Sequence, residues 1–453
     1  MKVAIIGSGA YGSYIAHVLA EKNPTAEIHI YEVGNSSIKN ESQIGYLSNI
    51  LGAPYHALSK GRFFGYGGAT VKWGGQLFTF SHNDFTYSSS FLQGIVALNE
   101  KYKRRVLSRF KLINEDEEKH LTDQLFLKTG IWLGYFDRNL FNYFKIKRKK
   151  QVVLYPSSRI IKLLFKNQHV IGFEYIHKGN LKTAGDYDHY FLTAGAFESG
   201  RILLKSGIVS NGHLLFSDHL SQRAFKIKSG TKIGKTDFSF KVKGTSLITK
   251  RMIGEIDSVS FYAHPIFNSE FPFFQNLKKF LFGRHFSMQL ITEIVKDIPA
   301  CMTFTWNILV KKRLHVYKNE WYLQIDMENP VNSGKITISK DKDMFEENGL
   351  DIDFTIGEHT DSLFAKAKDV VKDYLDEYNV KYEIVNEATN VEKYEDTYHP
   401  FGIYSDFSSI EDYFARFSNL LIISTGILPR AGGINSTCAM FPIIEEYVEN
   451  YLK

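Results

Sequence analysis

The first 32 residues constrain this chain more than any other stretch. The apolar run Lys2, Val3, Ala4, Ile5, Ile6 reads as a buried strand, and it passes directly into Gly7, Ser8, Gly9, Ala10, Tyr11, Gly12. In a βαβ unit the first glycine permits a tight turn, the second lets the backbone approach a pyrophosphate, and the third lets the following helix pack close to the strand. Residues 13–22 carry apolar positions at helical spacing, Asn23 and Pro24 break the pattern, and residues 27–31 read as a second strand. That strand runs into Glu32, 20 residues after Gly12. A carboxylate there accepts hydrogen bonds from ribose hydroxyls and repels a 2′-phosphate. A lone Gly-x-Gly-x-x-Gly is weak evidence, and a glycine turn without a ligand is its bland reading. Strand, glycines, helix, strand and carboxylate in order point instead to a dinucleotide lying on the free N–H groups of a helix N-terminus.

A chain of 453 residues exceeds one ordinary core, which predicts two domains or one large domain with an elaborated cap. With 44% hydrophobic and 23% charged residues it is neither disordered nor fibrous. The 36 Phe and 26 Tyr read mainly as core. A net charge of +6, spread along the chain, gives no nucleic-acid footprint, and the basic clusters at 101–105 and 145–150 read as solvated faces. Cys301 and Cys438 stand far apart, which argues against a disulfide framework and against a zinc site. The nucleotide fold starts at residue 2 with no cleavable signal before it, and no apolar run reaches about 18 residues, so a cytoplasmic location is expected.

A second glycine cluster, Gly61, Gly65, Gly67, Gly68, Gly74 and Gly75, interleaves with Phe63, Phe64, Ala69, Thr70 and Trp73. Six glycines in fifteen residues exclude a regular helix or central strand. They suit either backbone pressed against a flat ligand or a flexible loop, and the aromatics favour the former. Residues 85–150 are expected to be largely helical. Strands are expected at 151–155, 160–165, 170–176 and 187–193, with a short helix at 202–206 stopped by Gly207. Alternating runs at 237–242, 258–262, 302–306 and 335–339 predict an antiparallel sheet, interrupted by one amphipathic helix at 360–378. A buried strand at 419–424, a glycine loop and a final helix at 436–451 return to the first texture.

Taken in order, these motifs resemble the glucose/methanol/choline family of flavin oxidoreductases, with the closest texture in the branch of cholesterol oxidase and pyranose oxidase. The match runs through Gly7, Gly9, Gly12 and Glu32, then Gly67 to Trp73, then Ala194-Gly195 with Ser199 and Gly207. It continues through Ser217-Asp218-His219, Asn329-Pro330 with Gly334, Tyr398-His399-Pro400 and Asn435-Ser436-Thr437. The resemblance implies an α/β fold: a Rossmann-type FAD-binding domain, discontinuous in sequence, with an α+β substrate domain on an antiparallel sheet. It divides the chain into 1–84, 151–225 and 395–453 for the FAD-binding domain, 85–150 as a helical insertion and 226–394 as the substrate domain. It also implies FAD contacts from Gly7, Gly9, Ala10, Tyr11, Gly12, Glu32, Gly67, Gly68, Ala69, Thr70, Trp73, Gly74, Ile160, Ala194, Gly195, Ser424 and Thr425. Lys72 stands where pyranose oxidase relatives carry a histidine bonded covalently to flavin, so FAD is expected to be held noncovalently. Ser436 replaces the usual Pro of the closing motif, Ser424 a common Asp or Gly, and Ile403 a common Thr.

The resemblance implies oxidation of a CH–OH group, with hydride passing to the flavin and a base taking the hydroxyl proton. Histidine suits that proton transfer near neutrality. His399 holds the position of the base and Asn435 that of the group orienting the alcohol oxygen. By residue type alone, His399-Pro400 is also an ordinary turn and Asn435 a common turn former. Asp218 and His219 read as a structural pair. The expected substrate is a sugar, glycan intermediate or related secondary alcohol, and the electron acceptor is open. The segment 271–286, with Phe271, Phe273, Phe274, Phe280, Phe282, Phe286, Lys278, Lys279 and Arg284, reads as core, lid or membrane contact. A second reading follows from it, a sterol or lipid alcohol oxidase at a membrane surface; a third, of a different class, is a flavin-binding protein without redox turnover.

Overall fold

The computed structural model describes residues 1–112, 117–228, 241–267, 272, 276, 287–311, 321–330, 333–385 and 393–452. The chain opens with β1 (Lys2–Ile6), α1 (Ala10–Lys22) and β2 (Glu27–Tyr31). Val3, Ala4 and Ile5 are fully buried, as a strand covered on both faces requires. α1 is enclosed on most sides, and its Tyr14 ring stacks on Phe441 with centroids 4.2 Å apart. The helix ends where the Asn23 N–H donates to the Leu19 carbonyl, before Pro24, which has no N–H to extend it.

There follow α2 (Ser90–Arg109), β3 (Leu125–Trp132), β4 (Val152–Tyr155), an antiparallel meander of Ser158–Lys166, His169–His177 and Asn180–Gly185, then β5 (His189–Leu192) and α3 (Ala196–Lys205). The Asn167 turn between the first two meander strands has a left-handed φ of 57°, which asparagine tolerates well. β6 (His219–Ile227), β7 (Ser246–Ile256), β8 (Val259–Phe267) and β9 (Trp321–Glu328) come next. The chain closes with α4 (Thr360–Glu377), β10 (Leu420–Ile422) and α5 (Phe441–Asn450).

Two sheets carry the architecture. One is parallel, in the order β10-β5-β1-β2-β4, the Rossmann-type arrangement of an α/β protein. The other is antiparallel and runs β6-β9-β8-β7-β3. α4 covers it, burying Leu363, Phe364, Ala367, Val371, Tyr374 and Leu375, which recur at helical spacing. A smaller sheet joins His213–Phe216, Gly334–Lys342, Asn348–Phe354 and Ser48–Gly52.

Three local expectations are corrected. Within 85–150, α2 is helical, but residues 125–132 form β3, which pairs with β7 towards one edge of the antiparallel sheet. Seven of the eight residues of β3 are buried, so neither helical nor strand periodicity marks them. Lys128 among them is fully buried and pairs with Asp84 and, at 3.0 Å, with Glu118. The alternating run at 302–306 lies in a helix, Ile298–Leu309, with a proline in its first turn. There Thr303 and Thr305 donate to the carbonyls of Pro299 and Cys301, so the threonines that mimic strand alternation are satisfied within the helix. The helix of α3 also starts at Ala196, earlier than 202. Of the aromatic segment 271–286, all but residues 272 and 276 lie outside the described residues, as do residues 237–240.

Candidate functional site

Where β1 meets α1, Gly7 and Gly12 are demanded by packing. Gly7 has φ of +100°, and a Cβ there would stand 2.6 Å from the Thr193 carbonyl oxygen. A Cβ on Gly12 would stand 2.0 Å from the Gly7 carbonyl oxygen. Gly9 is different: its φ is −68°, and a Cβ would meet nothing within 4 Å. No part of the protein requires glycine at residue 9. The space above it belongs to a cavity of about 780 Å³, lined here by Gly7, Gly9, Ala10 and Tyr11. Gly9 is the N-cap of α1, no side chain caps that end, and its first turn holds no acidic residue. Open space over uncapped N–H groups is what a pyrophosphate needs, so the residues present fit a dinucleotide.

The second glycine segment folds onto the first. Gly67 and Gly68 take φ of +102° and +53°, and a Cβ on Gly68 would come within 3.1 Å of the Gly9 Cα. Gly68, Ala69, Thr70, Trp73 and Gly74 line the cavity, while Gly12 and Gly67 lie behind the wall. The Trp73 indole is fixed by donating to the Arg138 carbonyl at 2.9 Å. Ile160, Ala194, Gly195, Ser424 and Thr425 complete this side. Gly195 is again open, with φ of +85° and nothing near a Cβ.

Glu32 also reaches the cavity, but its carboxylate is engaged by the protein. One oxygen accepts from the Ser8 N–H at 3.0 Å and the Ser8 hydroxyl at 2.8 Å. The other accepts from the Gly34 and Gly65 N–H groups at 3.0 and 3.1 Å. Glu32 therefore ties the first glycine turn to the second, a role its spacing from Gly12 did not reveal.

His399 and Asn435 line the same cavity. Tyr398, just before the histidine, has a left-handed φ of 66°, a strained value for a bulky residue of the kind held at functional sites. The restraint comes from buried Asp218. Its carboxylate accepts from the His399 and His219 N–H groups at 2.9 and 2.7 Å, from the Tyr55 hydroxyl at 2.7 Å and from the Thr397 hydroxyl at 3.2 Å. Burial and the nearby Asp396 push Asp218 up to about 7. The Thr397 oxygen lies 3.2 Å from His399 Nδ1. With its proton committed to Asp218, Thr397 accepts from Nδ1–H, and this assigns the free lone pair to Nε2. Burial, followed by His219 and Arg251, pulls His399 down to about 3, so the ring is neutral at physiological pH.

Asn435 forms the local turn that its residue type allows, its side-chain oxygen accepting from the Thr437 N–H and hydroxyl at 3.4 and 3.1 Å. That leaves the amide NH₂ to face a ligand. His219 is fully buried, donates Nε2–H to the Gly432 carbonyl at 2.7 Å and does not line the cavity.

No motif marked the cavity wall contributed by the antiparallel sheet: Ser221, Arg251, Tyr262, His264, Gln324 and Asp326. Asp326 accepts from Ser221, from Gln324 at 2.7 Å and from His264 at 3.2 Å, contacts that hold its carboxyl well below the usual range despite burial. These residues come from β6, β7, β8 and β9, whose facing is set only when the strands pair. Lys72 also lines the cavity. Cys301 and Cys438 form no disulfide, and among the described residues no group of three or more His, Cys, Asp or Glu is placed to hold a metal ion.

No protein-family model and no curated protein matches the chain. A match in three dimensions is found with the crystal structure of pyridoxine 4-oxidase from Mesorbium loti, at a TM-score of 0.56 and 13% sequence identity, covering 99% of this chain and 99% of that one. The likeness extends over both sheets, and at this identity it shows a shared fold: this chain is an α/β protein with a Rossmann-type domain, built throughout on the plan of that oxidase.

Proposed function

We propose that this protein is an FAD-dependent oxidoreductase that oxidises a CH–OH group of a sugar, a glycan intermediate or a related secondary alcohol. One observation carries the reading: the open turn at Gly9, the glycines folded over it, His399 and Asn435 all line one cavity. The solved structure that shares the fold is by name an oxidase, which supports the same class. FAD, when bound, supplies the hydride acceptor. The chain's own residues would hold it noncovalently at the uncapped end of α1, over the open face of Gly9. His399 receives the hydroxyl proton at Nε2, kept in that tautomer by Thr397 and Asp218. Asn435 orients the alcohol oxygen through its amide NH₂.

The test is the visible spectrum of the purified protein, before and after anaerobic addition of sugars, sterols and simple alcohols. A flavin spectrum bleached by one class identifies the donor, and admitting oxygen separates oxidase from dehydrogenase. Protein that carries no flavin and takes none up defeats the reading.

A second reading, action at a membrane surface, draws support from a different region. No helix among the described residues is long and apolar enough to cross a membrane. Yet the consecutive helices Met288–Lys296 and Ile298–Leu309 leave Met288, Ile291, Val295, Ile298, Met302 and Trp306 exposed. Their three-and-four spacing forms one apolar stripe, the pattern of an interfacial helix. Liposome flotation that is lost in Met302→Ser/Trp306→Ser would favour this reading, and no flotation of the parent protein would remove it.

A further inference from the structure

Arg251, on β7, forms part of the same cavity wall as His399 and is only 4% exposed. Its guanidinium lies over two aromatic rings, 4.2 Å from the Tyr262 centroid and 4.9 Å from that of Phe78. One nitrogen, Nη2, donates to the side-chain oxygen of Gln76. Nε and Nη1 are buried and have no hydrogen-bond partner. The ring faces attract the cation, but the guanidinium N–H groups lie in its own plane, where a stacked ring offers no acceptor.

No carboxylate among the described residues pairs with Arg251. The acid that shares its wall, Asp326, is spent on Ser221, Gln324 and His264. A buried charge left with two unsatisfied donors is unfavourable for folding alone. Such an arrangement persists where a ligand completes it. Beside it, the Gln76 amide nitrogen is also buried without a partner, and its oxygen is held by Arg251, so its N–H groups offer a second, neutral donor.

We infer that the alcohol oxidised here carries an oxyanionic group, a carboxylate or a phosphate, and that Arg251 with Gln76 binds it. The planar guanidinium fork matches both anions, and the contacts with Tyr262, Phe78 and Gln76 restrict its movement before the ligand arrives. This inference rests on the proposed oxidoreductase reading for the word alcohol, but the anion site stands on its own geometry. Arg251 is thus the residue that selects acidic donors over neutral ones, while His399 takes the proton in either case.

The experiment is a calorimetric titration at neutral pH of the purified protein, saturated with FAD so that the turn at Gly9 is covered. The probes are malonate, inorganic phosphate and uncharged glycerol. One of the anions is expected to bind with a Kd below about 1 mM and glycerol not measurably. Arg251→Gln should weaken the anion by about 100-fold or more, and Gln76→Ala by about 10-fold. Should the glutamine variant not fold, Arg251→Lys keeps the charge and removes the fork, and a loss of about 10-fold or more is expected of it. Preference for malonate assigns a carboxylate, and preference for phosphate assigns a phosphate. Equal binding by wild type and the Arg251 variants, or no anion binding by the wild type, overturns the inference. Failure to take up FAD counts against the flavin reading alone, because anion binding is read as heat and not as flavin reduction.

Discussion

Gly9 and Gly12 belong to one turn, yet the structure assigns them opposite reasons for being glycine, and a pair of alanine variants separates the two. In Gly12→Ala the new Cβ stands 2.0 Å from the Gly7 carbonyl oxygen, against ordinary contacts that begin at 3.4 Å. Strand and helix would have to move apart by about 1.4 Å, and overpacking of that size costs about 3 kcal/mol or more. Gly9→Ala meets no protein atom within 4 Å. Alanine is a poorer N-cap than glycine by up to about 1 kcal/mol, while its stiffer unfolded chain returns about 0.4–1 kcal/mol. The net change is close to zero, which for a chain of this length moves Tm by less than about 2 °C. The added methyl does, however, occupy the space the pyrophosphate needs, and a loss of about 100-fold in FAD affinity, about 2.7 kcal/mol, is expected. Differential scanning calorimetry and flavin fluorescence titration measure the two quantities. The expected result is a stable, flavin-poor Gly9→Ala and an unstable Gly12→Ala. A Gly9→Ala protein with unchanged FAD affinity would refute the placement of the cofactor, and an equally stable Gly12→Ala would refute the packing argument.

His399→Gln should retain FAD and lose anaerobic bleaching by the alcohol, whereas normal bleaching would remove the assigned base. Thr397→Val frees the His399 tautomer without touching the turn at Gly9, so the rate of flavin reduction should fall about 10-fold or more at unchanged flavin content. In Glu32→Gln one carboxylate oxygen becomes an NH₂ facing N–H donors, and unfolding in urea should show a loss of about 2–3 kcal/mol. The folded-state values of His399 and His17 lie at about 3 and 4, below the ordinary 6.5. The unfolded chain therefore binds their protons first, and their contribution to stability is complete above pH 6.5 and is lost as pH falls towards 4 and 3. Asp218, raised to about 7, works in the opposite direction between pH 7 and 4. Asp84 and Asp396 are raised by burial as well, but the five lowered histidines, His29, His189 and His219 among them, outnumber these three carboxylates, so Tm should fall as pH drops from 6.5 to 4. A Tm that rises over this interval would contradict the assignment of buried neutral rings.

The legible parts of this chain are those whose physics is local. The turn from Gly7 to Gly12 can be read directly because the positive φ of Gly7 and the approach of Gly12 to the Gly7 carbonyl are set within the turn, and the Asn167 hairpin for the same reason. The parallel strands are legible as apolar runs bounded by turns. β3 is not, because burial on both faces erases the period that distinguishes strand from helix. The helix Ile298–Leu309 misleads in the other direction, since alternating Thr and apolar residues imitate a strand while the hydroxyls bond their own helix. Glu32 is legible as the carboxylate that follows the second strand, but its four protein donors come partly from the Gly65 loop, which no spacing connects to it. Arg251 left no trace at all: one arginine on a strand is ordinary, and its isolation is a property of what Tyr262, Phe78 and Gln76 surround it with after β7 and β8 have paired.

The way the Rossmann-type half is stitched together also determines when it can exist. β10 adds to β5 from more than two hundred residues downstream. Glu445, fully buried on α5, receives the Tyr14 hydroxyl at 2.8 Å and the Arg109 guanidinium at 2.7 Å, joining three helices that are remote in sequence. At synthesis rates of about 5–20 residues per second, Tyr14 waits on the order of 20–90 s for that partner. Throughout that interval one edge of the nascent sheet and one flank of α1 are bare. The glycine turn at residues 7–12 is thus the first part of the protein to be made and among the last to be finished, and a chain clipped before residue 420 would be a substrate for chaperones and proteases instead of a folded domain.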